Sequence, residues 1–165
     1  MIATERLLLR RFTDADADAY AAILMKPEVT RYLGSGQGAT GEGIAALREQ
    51  FQAVWNDGYG VFAVVEQATG SLIGHCGIRP IPDGRIELLY AYDPATWGKG
   101  YATEAGRAAL DYAREHFPVA EVIGMAYPQN HGSIAVLEKL GFQRIGTEQH
   151  FGHDLILLQL DVNRN

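Results

Sequence analysis

The fold is decided by one stretch of the sequence, Trp97-Gly98-Lys99-Gly100-Tyr101-Ala102-Thr103-Glu104-Ala105. The apolar residues 85–92 before it predict a strand that stops at Asp93-Pro94, and residues 101–116 predict a long helix. The glycines leave backbone N–H groups bare at the start of this helix, where the helix dipole favours an anion such as a pyrophosphate. The same spacing is equally typical of a glycine-rich connection leading into an alanine-rich packed helix.

A second informative stretch is Gln129-Asn130-His131-Gly132-Ser133-Ile134-Ala135-Val136-Leu137-Glu138-Lys139-Leu140-Gly141-Phe142. Ile134, Leu137 and Leu140 form one apolar face, which predicts a short helix over residues 130–140. Asn130 and Ser133 stand at its start, and from the residues alone they are good capping residues. Gly141 suits the left-handed position that ends a helix.

Hydrophobic periodicity predicts seven strands and four helices in the chain. The strands cover residues 6–12, 61–66, 72–79, 85–92, 121–126, 143–150 and 154–162, and the helices cover residues 13–24, 42–56, 101–116 and 130–140, with a loop at 25–43. This order predicts an α/β (α+β) fold: a mixed, mostly antiparallel twisted sheet of about six to seven strands, flanked by helices on both faces. We find no linker or repeat, so one domain is expected over residues 1–165.

Composition excludes several classes of protein. The chain has 165 residues, of which 47% are hydrophobic, and this fraction excludes a wholly disordered protein. Its 14 basic and 20 acidic residues give a net charge of −6, which argues against a general nucleic-acid binder. No apolar run approaches the roughly 20 residues that a membrane span requires, and residues 1–12 lack the core of a signal peptide. The single cysteine, Cys76, excludes a disulfide framework and suits a reducing cytoplasm.

Other patterns carry weaker indications of function. Residues 36–41 match G-x-G-x-x-G, but a short polar segment precedes them, so we expect a surface loop that frames a substrate entrance. Tyr101 stands where an ATP-binding phosphate loop has Ser or Thr. His150 and His153 are three apart, and on a strand they would face opposite sides, so no metal site is expected. For the same reason His75 cannot activate Cys76, which is expected to be a buried, inert thiol.

Together the two stretches resemble motif A, which binds pyrophosphate, and motif B of the GNAT superfamily of acyl-CoA-dependent N-acyltransferases. The segments Thr4-Glu5-Arg6-Leu7-Leu8-Leu9-Arg10 and Pro27-Glu28-Val29-Thr30-Arg31-Tyr32-Leu33 are similar to its RimJ/RimL-like branch, which acetylates ribosomal-protein N-termini and assorted amines. The resemblance covers nearly the whole chain in the right order. It implies an acetyl-CoA-dependent N-acetyltransferase that acts on a primary amine without a metal ion.

The resemblance also implies which residues hold the co-substrate. The CoA pyrophosphate would bind the backbone amides of a run that ends beside Thr103, namely Trp97, Gly98, Lys99, Gly100, Tyr101 and Ala102. The edge of the strand at Tyr90, Ala91 and Tyr92 would bind the pantetheine arm, and one of these amides would polarise the thioester carbonyl as an oxyanion hole. Asn130 would contact the pantetheine, and Ser133 would lie near the sulfur.

The reaction also requires a base, because an alkylammonium is protonated at neutral pH. Glu87 interrupts an apolar strand just before the acyl site, where desolvation would make it a better proton acceptor. The alternative is a structural glutamate paired with Arg79 or Arg85. Ser133 is the candidate acid for the departing thiolate, although helix capping explains this serine equally well.

Two positions depart from the branch, and several questions stay open. Leu89 stands where a glycine is common, so the local bulge or the acyl pocket differs, and Ala135 stands where an arginine is frequent, so a phosphate or partner contact is missing. Trp55, Tyr90, Tyr92 and residues 34–43 are candidates for the acceptor pocket, and a core or lid role is the alternative for them. A non-catalytic acyl-CoA-binding sensor or partner module with the same fold is the alternative function, and an exposed edge strand favours a homodimer.

Overall fold

The computed structural model describes residues 1–163. Eight strands form one sheet in the order β1-β2-β3-β4-β5-β6-β8-β7. The strands are β1 (Ile2–Ala3), β2 (Leu7–Arg10), β3 (Gly60–Glu66), β4 (Leu72–Pro80), β5 (Ile86–Tyr92), β6 (Glu121–Ala126), β7 (Gln143–His150) and β8 (His153–Asp161). The helices are α1 (Ala17–Leu24), α2 (Pro27–Thr30), α3 (Gly41–Ala53), α4 (Tyr101–His116) and α5 (His131–Lys139), with 3₁₀ turns at Asp14–Asp16 and Pro94–Thr96.

The predicted fold class is confirmed, and the strand count is higher than predicted. The sheet has eight strands rather than six to seven because the two-residue strand Ile2–Ala3 pairs with β2. The predicted loop at 25–43 contains the short helix α2, whose Pro27 occupies the first turn, where its fixed φ suits a helix start. Gly141 has φ +97°, so the left-handed end expected for α5 is confirmed.

Strands β5 and β6 pair differently from the other neighbours in the sheet. Every other adjacent pair within residues 1–163 is antiparallel, whereas β5 and β6 are parallel and meet at a single pair, Glu87 and Ile123. On its other edge, β5 pairs with β4 from Ile86 to Tyr92, and Leu89 fits this register without a bulge. The C-terminal half of β5 therefore has one edge in the sheet and one edge at a gap.

Helices cover both faces of the sheet and fix the walls of this gap. Helix α4 packs through the fully buried Ala105, Ala109 and Ala113, whose small side chains bring the helix close to the strands. Helices α1 and α3 cover the opposite face. On β6, an ideal Cβ at Gly124 would lie 2.6 Å from Leu137 Cδ2, so the glycine allows α5 to approach the strand closely.

Two expectations from the sequence concern the lone cysteine and membrane-spanning helices. The burial expected for Cys76 is confirmed, and this desolvation raises the pKa of its thiol to about 12. Within residues 1–163, no helix combines the length and the hydropathy that crossing a bilayer requires.

Candidate active site

A cleft of about 1090 Å³ opens where β5 and β6 diverge. It is bounded by these two strands, by the first turns of α4 and α5, and by the loop between α2 and α3. Except for Lys99, every residue predicted to act in catalysis or to bind the co-substrate lines it: Glu87, Tyr90, Ala91, Tyr92, Trp97, Gly98, Gly100, Tyr101, Ala102, Thr103, Asn130 and Ser133. The structure therefore gathers residues that are up to 46 positions apart in sequence around one cavity.

The first turn of α4 presents backbone amides to the cleft. Gly98 and Gly100 have φ values of +75° and +82°, in the left-handed region that glycine adopts at little cost. The first bond of the helix runs from the Glu104 N–H to the Gly100 carbonyl at 3.0 Å. The amides of residues 101–103 precede that bond, so they are free of the helical ladder and suit an anion.

Trp97 differs from the other residues of this run. Its backbone N–H donates to the Pro94 carbonyl at 3.1 Å, so the amide expected to hold an anion is already engaged. The indole is half exposed, and its Nε1 donates to the Tyr92 carbonyl at 2.9 Å. Trp97 thus caps the end of β5 through its side chain, and the available amides begin at Gly98.

The open edge of β5 carries Tyr90, Ala91 and Tyr92. All three pair with β4, and the last contact of β5 with β6 lies further back, at Glu87. In an antiparallel pair, alternate residues direct their N–H and C=O groups away from the partner strand. These groups face the gap, where an extended ligand can add to the sheet as a further strand.

A pair of hydroxyl groups joins β5 to the start of α5. The Tyr90 hydroxyl lies 2.9 Å from Ser133 Oγ and donates to the Ser133 carbonyl at 3.0 Å. Asn130 Oδ1 accepts the Ser133 N–H at 3.2 Å, which confirms Asn130 as the N-cap of α5. Burial raises the pKa of the Tyr90 phenol, so it stays protonated at neutral pH and donates to the Ser133 carbonyl, which leaves the Ser133 hydroxyl able to donate into the cleft.

Glu87 lines the cleft at the point where β5 pairs with β6. The residue is 9% exposed, and its Oε2 accepts a bond from Arg79 Nε at 3.1 Å across the β4–β5 pair. Arg85 instead binds Asp83 and Glu148. Of the two arginines considered from the sequence, Arg79 is therefore the partner, and the pair holds a carboxylate at the cleft wall.

Comparison with known proteins identifies this arrangement. The family model described as an Acetyltransferase (GNAT) domain matches residues 6–143. The chain belongs to the GNAT acetyltransferase family. It is accordingly an acyltransferase, and the candidate residues of its two sequence motifs line one cleft.

Individual relatives support the same assignment. The N-acetyltransferase p20 of Bacillus licheniformis is 31% identical over 150 residues, covering 87% of this chain and 82% of that protein. A crystal structure of an acetyltransferase from Agrobacterium tumefaciens matches with a TM-score of 0.85 and 28% identity, covering 96% of this chain and 92% of that one. The spermidine N-acetyltransferase of Vibrio cholerae, in complex with CoA and spermine, has the same fold, with a TM-score of 0.78 at 19% identity and 96% coverage of both chains.

Sequence reasoning missed His75 as a residue of the GNAT cleft. His75 lines the cleft from β4, is 2% exposed, and has its Nδ1 2.9 Å from the Tyr20 hydroxyl. Desolvation lowers its pKa to about 3, so the imidazole is neutral. The sequence offered one indication, a polar residue inside the apolar strand 72–79, and we considered it only as a partner for Cys76.

Two further residues at the cleft mouth were also missed. The Tyr127 hydroxyl donates to the Gly34 carbonyl at 2.6 Å and so ties the α2–α3 loop to the end of β6. Phe151, at the β7–β8 turn, lines the cleft, is 64% exposed and has φ +55°. An aromatic residue held in this sparsely populated backbone region marks a position to examine for function.

Other candidates lie outside the cleft. Trp55 packs against Phe62, with ring centroids 4.9 Å apart, and its Nε1 donates to the Val61 carbonyl, so it is a partly buried residue packed against the core. The argument that His150 and His153 face opposite sides of one strand was wrong, because they are opposite each other on β7 and β8.

Two remaining points concern metal-binding side chains and the glycine-rich residues 36–41. No group of three or more His, Cys, Asp or Glu side chains that could hold a metal ion occurs in the part of the chain that the structure describes. Residues 36–41 follow helix α2 rather than a strand, so they lack the context of a dinucleotide-binding loop. Gly34, Ser35 and Gly38 line the cleft, in line with the expected loop at a substrate entrance.

Proposed function

We propose that this protein transfers an acetyl group from acetyl-CoA to a primary amine by direct attack. The observation that carries the proposal is the cleft itself, because it joins an anion-binding helix start to an open strand edge and ends at a buried carboxylate. The similarity of residues 4–10 and 27–33 to the RimJ/RimL-like branch supports a peptide or ribosomal-protein N-terminus, or a small amine, as acceptor. A reducing, cytoplasmic setting fits the single buried cysteine.

The residues fit the two parts of CoA. The amides of Gly98, Gly100 and residues 101–103 suit the pyrophosphate, since a helix start binds phosphate groups without a metal ion. The edge at Tyr90–Tyr92 suits the pantetheine arm, whose amides can pair with backbone groups as a strand does. Asn130 and Ser133, at the start of α5, then lie beside the sulfur end of the arm.

The chemistry needs three groups from the protein. Glu87 accepts the proton of the acceptor ammonium, directly or through a water molecule, so that the amine nitrogen can attack the thioester carbon. An amide of the β5 edge stabilises the oxyanion, a contribution of about 2.7–4 kcal/mol where such donors have been removed in other enzymes. When the C–S bond breaks, the Ser133 hydroxyl donates its proton to the thiolate and regains one from solvent, while the Tyr90 hydroxyl holds Ser133 in place.

Glu28 offers a carboxylate to a cationic acceptor. It lines the cavity from helix α2, whereas the charge of Glu87 is paired with Arg79 and Lys139 also lines the cavity. The spermidine N-acetyltransferase of Vibrio cholerae was solved with spermine, so a polyamine belongs in the acceptor panel beside peptide N-termini. Phe151 and Tyr127 would contact the part of the acceptor next to its amine.

A panel assay tests the proposed function. Purified protein is incubated with acetyl-CoA and with polyamines, small amines or peptides, and the products are analysed by mass spectrometry while released CoA is quantified. We expect a mass increase of one acetyl group on at least one class of amine. Stabilisation by acetyl-CoA without acetylation of any acceptor would favour the non-catalytic sensor and would refute catalysis.

The pH profile tests Glu87 as the base. We expect Glu87→Gln to lower kcat/KM most at neutral pH, where an amine with a pKa of about 10 is almost wholly protonated, and progressively less as the pH rises. Glu148→Gln is the matched control, because Glu148 is also a strand carboxylate paired with an arginine, at 2.7 Å, and is not among the residues that line the cleft. An equal loss at every pH would assign Glu87 a purely structural role.

A further inference from the structure

The segment just before β2 is bound to the start of α4 through Arg6 and Glu104. Arg6 Nε and Nη2 contact Glu104 Oε2 at 2.8 and 2.7 Å, and Arg6 Nη1 donates to the Lys99 carbonyl at 2.9 Å. The guanidinium also lies over the Tyr101 ring, 4.6 Å from its centroid. Glu104 Oε1 accepts bonds from the Thr4 hydroxyl at 2.6 Å and from the Arg6 N–H at 2.9 Å.

This segment is itself fixed to the sheet. The Arg6 carbonyl accepts the Gln67 N–H at 2.9 Å, and Gln67 Nε2 donates to the carbonyls of Thr4 and Leu7 at 2.8 and 3.0 Å. The arginine therefore extends from a well-bonded backbone and binds a glycine-rich loop. An ideal Cβ on Gly100 would lie 3.5 Å from Arg6 Nη2, so the guanidinium packs directly against this loop.

The bond to Lys99 has a geometric consequence for the next amide. In a trans peptide, the C=O of one residue and the N–H of the next point in opposite directions. Lys99 is the one residue of residues 97–103 that does not line the cavity, and Arg6 does not line it either. The bond from Arg6 to the Lys99 carbonyl therefore lies on the side away from the cleft. The Gly100 N–H, on the same peptide plane, is thereby directed toward the cleft that Gly100 lines.

We propose that Arg6 is a positioning residue for the co-substrate: it fixes the Lys99–Gly100 peptide so that the Gly100 N–H faces the pyrophosphate. This inference rests on the proposed function, because it assumes that the cleft binds CoA. Gly98 and Gly100 leave the loop with many backbone conformations, and fixing one of them in advance lowers the entropy that binding must overcome.

The charge of Arg6 is already balanced, so its role is geometric. Burial alone would raise the pKa of the Glu104 carboxyl, but hydrogen bonds from Thr4 and Arg6 outweigh burial and lower it, so Glu104 is ionised at neutral pH. A lysine in place of Arg6 would keep the charge. It lacks the planar fork that reaches Glu104 and the Lys99 carbonyl together.

Binding measurements with Arg6→Ala and Arg6→Lys test this role. We expect both variants to bind CoA about tenfold more weakly by calorimetry, the effect of losing one charge-assisted bond. The KM for acetyl-CoA should rise by a similar factor while kcat at saturation changes less than about twofold. The KM for S-acetyl-pantetheine, which lacks the pyrophosphate, should stay unchanged, a selectivity that a general loss of structure would not produce.

Arg114→Ala is the matched control, because Arg114 makes the same kinds of bond at the other end of α4. It pairs with Asp111 at 2.6 Å and donates to the Val162 carbonyl at 3.0 Å. This variant should keep the wild-type affinity for CoA.

The outcomes separate this inference from the proposed function. Wild-type affinity for CoA in both Arg6 variants, or an equal rise of KM for acetyl-CoA and for S-acetyl-pantetheine, would overturn the role of Arg6. If Arg6→Ala does not fold, Arg6→Lys decides the question alone. A wild-type protein that binds no CoA would overturn the proposed function itself.

Discussion

The buried pair of His75 and Tyr20 predicts a specific sensitivity to acid. His75 is 2% exposed and desolvation lowers its pKa to about 3, whereas the ordinary value, which applies in the unfolded chain, is 6.5. Below pH 6.5 the unfolded chain therefore binds a proton that the folded protein does not, so stability decreases as the pH falls. His75→Asn removes the titrating group while retaining an oxygen that can accept the Tyr20 hydroxyl.

The size of the effect follows from the two pKa values. Since one pKa unit corresponds to about 1.4 kcal/mol, His75 costs the folded state about 2 kcal/mol at about pH 5 and almost nothing at about pH 7. Any folded-state pKa below about 4 gives nearly the same figure at about pH 5, because the unfolded state dominates the difference. Depressed carboxylates such as Asp16, with a pKa of about 2, lose their contribution mainly at lower pH.

Urea unfolding at the two pH values measures this contribution. The free energy of unfolding of the wild type should fall by about 2 kcal/mol more between about pH 7 and about pH 5 than that of His75→Asn. His116→Asn, at an exposed histidine of α4, is the control and should retain the wild-type loss. An equal pH-dependent loss in His75→Asn and in the wild type would refute the assignment of a neutral, buried imidazole.

Two further predictions concern the glycine-rich loop and the lone thiol. Gly100→Ala, at φ +82°, should lower stability by about 1–2 kcal/mol and weaken CoA binding. Gly84→Ala, at φ +88° in a turn away from the cleft, is the control and should lower stability alone. Thermal unfolding with and without CoA separates the two effects, and intact CoA binding in Gly100→Ala would contradict the role of the loop. Cys76 should not react with a chromogenic disulfide reagent in the native protein, because burial raises the pKa of its thiol to about 12 and only the thiolate attacks. In concentrated guanidinium chloride one thiol per chain should react. Reaction in the native protein would contradict the burial of Cys76.

Most of the fold follows from local patterns in the sequence. The seven predicted strands and the long helix at residues 101–116 correspond to observed elements because alternation and helical spacing are written directly in the residues. The missing elements are short: β1 has two residues and α2 has four. Elements of this length carry too little periodicity to be recognised, and they form because their neighbours bond to them.

The site was predictable where it depends on one segment and unpredictable where distant segments meet. Gly98 and Gly100 indicate a helix start with free backbone amides, because both adopt the left-handed conformation that favours glycine. Nothing in the sequence near Trp55 distinguishes a pocket wall from the core, because its environment is set by Phe62 on β3. The surroundings of His75 likewise depend on a distant residue, Tyr20, which lies 55 positions away in sequence and bonds to its ring.

The gap between β5 and β6 explains why the distant residues matter at this place and not elsewhere. A closed sheet would satisfy the backbone groups of Tyr90–Tyr92 with a neighbouring strand, and the parallel pairing at Glu87 ends before that occurs. The Tyr92 carbonyl accepts the Trp97 indole N–H instead, and the rest of this edge has no neighbouring strand. The helices beside the gap are also held from outside it, α5 by Leu137 against Gly124 and α4 by Arg6 with Glu104, while the Tyr90–Ser133 bond joins β5 to α5. An edge that is unpaired within the sheet, between helix starts fixed from outside, is a binding site whose rigidity does not depend on its ligand.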